Sequence, residues 1–423
     1  MNVPENALKE TAETEFNSHR MKVAASVFLA LLFDGFELGL MPVASLSVTK
    51  SLAGAQASAA DHAEWFAWLT AALMLGAAAG GIIFGMIGDR FGRVPALGGS
   101  ILFYSIFAGM GGIVTNLEQM LILRFMVGLG VGGVWPNGIS LASEFWPELS
   151  KPLLSGVLGS AINVGILILS QVARLHPITP DSWRWLFAWC GLPALLGLVV
   201  IFVLPESPAW LRSRETKLLE DDSKSKKQVV FSRELFPVLF LAILLGTIPL
   251  VGAWAASKWM IPWADSVAGS SNPGYKAVAQ GWWALGASMG GFLGAIIAGR
   301  LGAARSFALF GIISTVMTSG LFLFTRPMTP LFLPIVFFQG LCSTMFFGWL
   351  PLYLPMLFPT GIRATGTGIS YNVGRFLTAF GVLASSYLVR AFSGDYAAIG
   401  AAAGLIYALA VPASLVYWRL KRE

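Results

Sequence analysis

The amino-acid sequence predicts an all-α polytopic membrane protein, with twelve transmembrane helices arranged as two pseudo-symmetric six-helix bundles around a central cavity. Composition is the first observation: 56% of the 423 residues are apolar and 12% are charged, whereas soluble domains run near about 45–50% and about 25%. The second is that the apolar residues arrive in runs of about 20, the length needed to cross about 30 Å of hydrocarbon. The third is a polar interruption in mid-chain that divides the runs six and six, with similar loops in the two halves. Duplicated halves of this kind share a midplane site and rock against each other about it.

Residues 1–21 contain Glu5, Glu10, Glu13 and Glu15 among polar neighbours. No basic leader precedes an apolar core there, so the segment reads as a cytoplasmic tail rather than a signal peptide. Apolar spans near 22–42, 64–87, 94–115, 118–141, 153–174 and 184–204 form the first bundle, residues 22–205. Residues 206–234, with Glu220, Asp221 and Asp222 followed by Lys224, Lys226 and Lys227, read as a solvated cytoplasmic linker. Spans near 235–256, 277–299, 306–325, 331–354, 366–389 and 397–418 form the second bundle, residues 235–418, and 419–423 complete the chain at the cytoplasmic face. Lys and Arg concentrate on the side that holds both termini, while Lys50, Arg174, Arg184, Lys258, Lys276, Arg326 and Arg390 fall in the segments of the other side or at its edge. That bias places both termini and the linker in the cytoplasm, beneath a cell inner membrane. The net charge of +6 is read as this orientation signal and not as a surface for nucleic acid.

Cys190 and Cys342 both lie in apolar runs, which excludes a disulfide framework and a CxxC metal or redox site. His19, His62 and His176 fall outside the runs, so no metal site and no Ser/His/Asp or Cys/His constellation can be assembled, and no enzyme is expected. Gly-rich stretches at 76–85 and 128–133 resemble phosphate loops only in composition; in apolar helices they allow close packing. No Walker motif is present, so neither ATP nor another cofactor is expected to supply energy.

The loop after the second span reads Gly85-Met-Ile-Gly-Asp89-Arg90-Phe-Gly92-Arg93. At the equivalent place after the eighth, Arg300 and Gly302 match Arg90 and Gly92, while Gly299 stands in the Asp position. The fourth span carries Arg124-x-x-x-Gly128-x-Gly130-x-Gly132, the sixth ends in Pro205-Glu-Ser-Pro-Ala-Trp-Leu211, and Phe358-Pro-Thr-x-x-Arg363-Ala-Thr-Gly366 precedes the eleventh. These motifs resemble the signature of the major facilitator superfamily, and they occur in both halves of the chain. Phe33-Asp34-Gly35-Phe36-Glu37 is similar to the DGFD element of its aromatic-acid proton symporters, with Glu in place of the second Asp. The resemblance implies a gate built from Gly85, Asp89, Arg90, Gly92, Arg93, Glu144 and Arg363. In that gate Asp89 holds the cytoplasmic ends of the two halves together, through a helix N-terminus and a neighbouring Arg, when the cavity faces outward. Sugar porters carry paired glutamines in the seventh helix; Gly246–Lys258 has none, which leans away from a neutral sugar.

Asp34, Glu37, Arg124 and Arg375 sit well within apolar spans. Each costs at least about 2.5–3.5 kcal/mol at a helix centre unless a partner or a water-filled cavity receives it. At 1.5 Å per residue, Glu37 and Arg124 both lie about 8–9 Å from the outer edge, whereas Asp34 and Arg375 lie near the midplane. Glu37 is therefore expected to pair with Arg124 and, within the set of Asp34, Glu37 and Arg124, to be the first candidate to carry the proton, with Asp34 the alternative. A carboxylate balanced between burial and an adjacent guanidinium can change protonation as the cavity opens to either side. Arg375 is expected to anchor the substrate, because its planar fork of donors matches a carboxylate and keeps its charge.

Asn372, three residues before Arg375, is the favoured second substrate contact. Asn137, Asn163, Gln171, Gln280 and Gln339 are further candidates, although single amides in membrane helices often bond to a neighbouring helix instead. Trp254 and Trp349 lie deep enough to wall a pocket, where filling space between helices is the commoner use of such rings.

These features predict a monomeric secondary active transporter that moves a small carboxylate together with protons. Proton-driven efflux of a drug or metabolite and sugar–proton symport are the alternatives, and Arg375 argues against a cationic drug. A nutrient sensor that binds without carrying is the least expected, since such receptors bear a long signalling tail and only a short segment follows Tyr417.

Overall fold

The computed structural model describes residues 5–54, 57–145, 151–219, 233–358, 363–392 and 395–420, and among these the ordered elements are helices, with no strand. Eleven helices among the described residues are long and apolar enough to cross a membrane: Asn17–Leu52, Ala59–Phe91, Arg93–Ile113, Leu117–Phe145, Gly156–Leu175, Arg184–Val203, Phe236–Ala268, Tyr275–Leu301, Ala303–Phe324, Phe332–Tyr353 and Tyr396–Leu420. Arg363–Ala391, 29 residues long, also has crossing length but includes Asn372, Arg375 and several hydroxyl residues. It falls between the last two of the eleven, and the twelve helices are referred to as spans one to twelve in chain order. A polar helix of crossing length belongs where one face meets water or protein rather than lipid.

Three boundaries differ from the hydropathy reading. The first span continues to Leu52. The segment after the sixth span is not all solvated linker: Pro208–Leu219 is a helix, and Trp210 in it is buried. Residues 220–232 lie outside the described residues, as do 146–150 and 359–362 in the loops that precede spans five and eleven. The seventh span does not end near 256. It is α-helix over Phe236–Val251, a π turn over Gly252–Ala256, a 3-10 turn over Ser257–Trp259 and α-helix again over Met260–Ala268. The run Trp259-Met-Ile-Pro-Trp263 is apolar enough to continue the crossing, and a π turn accommodates one residue more than the helical repeat allows.

The halves repeat each other in packing. Span two packs on span four as eight does on ten; span three packs on four and six as nine does on ten and twelve; span one packs on five as seven does on eleven. The two halves meet where span two packs on eleven and span five on eight. Small residues make the tightest of these contacts. Gly76 and Gly80 face the main chain at Phe125 and Leu129, and in the other half Gly286, Gly290 and Gly294 face it at Phe337, Leu341 and Met345. Any Cβ at these positions would overlap the partner's carbonyl oxygen, so the interfaces depend on glycine.

At the end away from the termini the halves are bonded to each other. Lys276 Nζ of span eight donates to Ser47 Oγ of span one at 3.2 Å, and Gln280 Nε2 donates to the Gly39 carbonyl at 3.0 Å. Phe66 of span two meets Trp259 of span seven with ring centroids 5.2 Å apart. Below this seal a cavity extends between the bundles to Ser143, Leu352 and Met356, near the end that holds the termini.

Candidate functional site

The first span places two carboxylates one turn apart, and their surroundings differ. Glu37 turns toward the fourth span, where Arg124 Nη1 donates to its Oε2 at 2.8 Å and Nη2 donates to its own carbonyl oxygen at 3.1 Å. Both side chains are buried, and Cys190 of span six lies beside the pair. Asp34 faces the cavity instead, with Oδ1 buried and bonded to no hydrogen-bond donor.

The cavity measures about 740 Å³. Among the described residues its wall carries three charged side chains: Asp34, Arg375 and Lys258. Arg375 of span eleven donates from Nη1 to the Ala77 carbonyl of span two at 3.2 Å, across the interface of the halves. Its guanidinium carbon lies 4.9 Å from the centre of the Tyr371 ring, and that ring stacks on Trp135 of span four at 5.3 Å. Arg375 and Asp34 face the same cavity without an ion pair of 4.0 Å or less between them.

Lys258 and Lys276 correct the sequence reading, which put both among the outer segments. The extension of the seventh span carries Lys258 into the cavity wall, where only 3% of it is exposed. Its Nζ has no hydrogen-bond partner and sits 3.5 Å from the centre of the Trp283 ring, with Trp254 at 5.7 Å. The Trp283 ring is itself fixed, since its Nε1 donates to Gln339 Oε1 at 2.9 Å, while Gln339 Nε2 donates to Ser257 Oγ and to Thr318 Oγ1. Lys276 is buried at the sealed end, paired with Asp265 at 2.9 Å. The inventory of charge within the spans is therefore larger than the four residues read from hydropathy, and the cavity wall holds two cations against one carboxylate. The apolar run beyond residue 256 is the signal that would have brought Lys258 inside the span.

The amide candidates separate by contact. Asn163 lines the cavity and donates from Nδ2 to the Ala287 carbonyl at 3.4 Å. Asn137 is not in the wall; its Nδ2 donates to the carbonyls of Phe84 and Gly133 at 3.1 and 2.8 Å, tying span four to span two. Asn372 packs against Gly81 at the contact of spans eleven and two, Gln280 bonds to Gly39 at the seal, and Gln171 is exposed. Trp254 lines the cavity, whereas Trp349 is fully buried outside it and donates to the Ala303 carbonyl at 2.9 Å. Trp135 and Tyr371, which hydropathy did not single out, are the aromatic side chains beside Arg375.

The loop motif forms one cluster with the end of the fourth span and the segment after the sixth. Asp89 Oδ1 pairs with Arg93 Nη1 at 2.5 Å, but its side chain is 73% exposed and in this structure stays within its own half. The N-terminus of span three, in the same half, is held by Glu206, whose Oε1 accepts from the Arg93 amide at 3.0 Å and whose Oε2 accepts from the Val94 amide at 3.2 Å. Glu144 lies 3.7 Å from Arg93 Nε and accepts a short bond from Ser207 Oγ. Trp210 Nε1 donates to the Asp89 carbonyl at 3.1 Å. Gly92 has φ of 115° and faces Glu206 closely, so both its conformation and its space exclude a side chain. Arg90 is exposed over the Phe91 ring, Gly85 has open space beside it, and the backbone of Arg363 begins span eleven.

Two duplicated bundles around a walled, charged cavity define a membrane carrier. Residues 21–235 match the family described as sugar (and other) transporter, and the chain belongs to it, within the major facilitator superfamily: a transporter of organic acids or sugars and not an enzyme. The chain is 30% identical to the cis,cis-muconate transport protein of Acinetobacter baylyi over 86% of each chain. It is 27% identical to the sialic acid transporter NanX of Escherichia coli, covering 90% of this chain and 89% of that one. With the 4-hydroxybenzoate transporter PcaK of Pseudomonas aeruginosa it shares 26% identity, over 85% and 84%. Its fold is that of the xylose transporter XylE from E. coli in a partially occluded, inward-open conformation, with a TM-score of 0.70 at 17% identity over 95% of this chain and 98% of that one. A D-xylose-proton symporter superposes with a TM-score of 0.66 at 19% identity, over 92% and 98%.

Proposed function

We propose that the protein carries a small organic carboxylate across a cell inner membrane, as a monomer, by alternating access coupled to proton symport. The observation that carries this reading is the charge of the cavity wall: among the described residues, Arg375 and Lys258 face it against Asp34. A desolvated cation without a partner is costly, and an incoming anion removes that cost. The muconate, 4-hydroxybenzoate and sialic acid transporters among the relatives are named for acids, which supports the same reading.

In this mechanism Arg375 anchors the carboxylate, with Asn163 and the aromatic rings of Trp135, Tyr371 and Trp254 around it. Asp34 takes the proton, while Glu37 stays engaged with Arg124 on the same helix. Protonation of Asp34 removes the negative charge that competes with the substrate for Arg375, so proton and anion favour each other without touching. With both termini cytoplasmic, the sealed end faces outward and the cavity opens to the cytoplasm. Bundles 22–205 and 235–418 then rock about it, and the cluster at Asp89, Arg93, Glu144 and Glu206 keeps the cytoplasmic ends of the first bundle rigid.

Uptake into proteoliposomes tests this reading, using a panel of carboxylates, sugars and cations with and without an inside-alkaline pH gradient. Accumulation of a carboxylate that depends on the gradient is expected. Carriage of neutral sugars alone would show a sugar symporter, and outward drug movement driven by protons an efflux carrier; either result defeats the proposal.

A further inference from the structure

We infer that the preferred substrate is a dicarboxylate, one carboxylate held by Arg375 and the other by Lys258. The inference rests on the organic-anion reading and narrows it. Lys258 is the feature that a monocarboxylate leaves unexplained. It is buried, it lines the cavity, and its Nζ has no hydrogen-bond partner. A lysine placed only for packing would be matched by a carboxylate or a hydroxyl oxygen, as Lys276 is by Asp265 and Ser47. Among the described residues, Lys258 has the faces of Trp283 and Trp254.

Ring faces attract a cation through their quadrupole but accept no strong hydrogen bond, so the donors of Nζ remain available for a ligand. Arg375 is mounted in the same way, over Tyr371 backed by Trp135, and one of its donors is used by the Ala77 carbonyl. The cavity thus offers two cations, each backed by aromatic rings, one from the seventh span and one from the eleventh. Trp135, Tyr371, Trp254 and Trp283, which also line the cavity, offer ring faces to the part of the ligand that joins its two carboxylates.

The charge balance agrees. With Asp34 ionised the wall carries one net positive charge; with Asp34 protonated it carries two. A dianion that arrives with Asp34 protonated neutralises both cations, so the loaded site is uncharged. A monoanion leaves Lys258 bare. The position of Lys258 is itself built: Ser257 is held by Gln339, which also fixes the Trp283 ring, at the break where the π turn meets the 3-10 turn.

The test compares terephthalate with its monomethyl ester, and adipate with its monomethyl ester, as competitors of carboxylate uptake in proteoliposomes. The unmodified protein is expected to favour each diacid by at least about tenfold, the effect of one hydrogen-bonded charge. Lys258→Met should remove that preference, lowering affinity for each diacid by at least about tenfold more than affinity for its monoester, and Lys258→Arg should keep it. Three results overturn the inference: monoesters bound as well as diacids by the unmodified protein, equal losses on diacid and monoester in Lys258→Met, or loss of proton-driven accumulation in Lys258→Met with the diacid preference intact. The first needs no variant, so a failure of Lys258→Met to fold does not shield the inference. If monocarboxylates are carried well and Lys258 makes no difference, only this inference falls; if no carboxylate is carried, the organic-anion reading falls with it.

Discussion

Arg124 holds Glu37 twice, by its carboxylate at 2.8 Å and by its main-chain carbonyl at 3.1 Å. The second bond joins a side chain of span four to the backbone of span one, so it fixes the helices as well as the charge. Asp34, three residues earlier, has no such clamp and faces the cavity. One helix therefore presents a pinned carboxylate and a free one, and the two are expected to respond differently to mutation.

Removing one partner of a buried pair leaves an uncompensated charge, at a cost of about 3–5 kcal/mol. Arg124→Met should lower the thermal midpoint of the detergent-solubilised protein substantially. The double variant Arg124→Met with Glu37→Gln should recover most of the loss. Equal midpoints for Arg124→Met and the parent would show that the pair does not hold the two spans.

Asp34→Asn keeps size and removes the proton that the proposed mechanism assigns to Asp34. Accumulation driven by a pH gradient should disappear, while exchange of internal for external substrate continues. Persistence of accumulation in Asp34→Asn, with loss in Glu37→Gln, would move the proton to the clamped carboxylate.

Arg375→Lys retains charge but loses the fork of donors, and Arg375→Ala loses both. Carboxylate affinity should fall in the first and by at least about tenfold in the second, since hydrogen bonds to charged groups contribute about 1.5–3 kcal/mol. Equilibrium binding to the purified protein measures this directly. An Arg375→Ala protein that binds like the parent removes the anchor.

At the cluster near the end that holds the termini, Glu206 holds the first turn of span three through two amides, whereas Asp89 makes an exposed pair one helical turn away. A carboxylate at a helix N-terminus contributes about 0.3–1 kcal/mol, rising toward about 2 where partly buried; an exposed i,i+4 pair contributes about 0.3–0.5. Glu206→Gln should therefore destabilise the protein and slow transport more than Asp89→Asn. The reverse order, measured by thermal midpoint and uptake rate, would show that Asp89 contributes more than Glu206.

The sequence alone determined the number of spans, the duplication into halves and the cost of Asp34, Glu37, Arg124 and Arg375 inside the membrane, because run length and the price of buried charge are local properties. Depth is local too, since the helical rise per residue is constant, and it was enough to bring Glu37 level with Arg124. Rotation about a helix axis is not local. Only tertiary packing decided that Asn137 and Gln339 bond within the protein, that Trp349 fills space, and that Trp135 and Tyr371 stand beside Arg375. An irregular turn is equally invisible to hydropathy: the π turn at Gly252–Ala256 carries the seventh span onward to Ala268 and brings Lys258 from an expected loop into the cavity wall. Glu206 could reach the first turn of span three only once the sixth span had returned beside it, since contacts across more than a hundred residues depend on how helices pack and not on the order in which they occur.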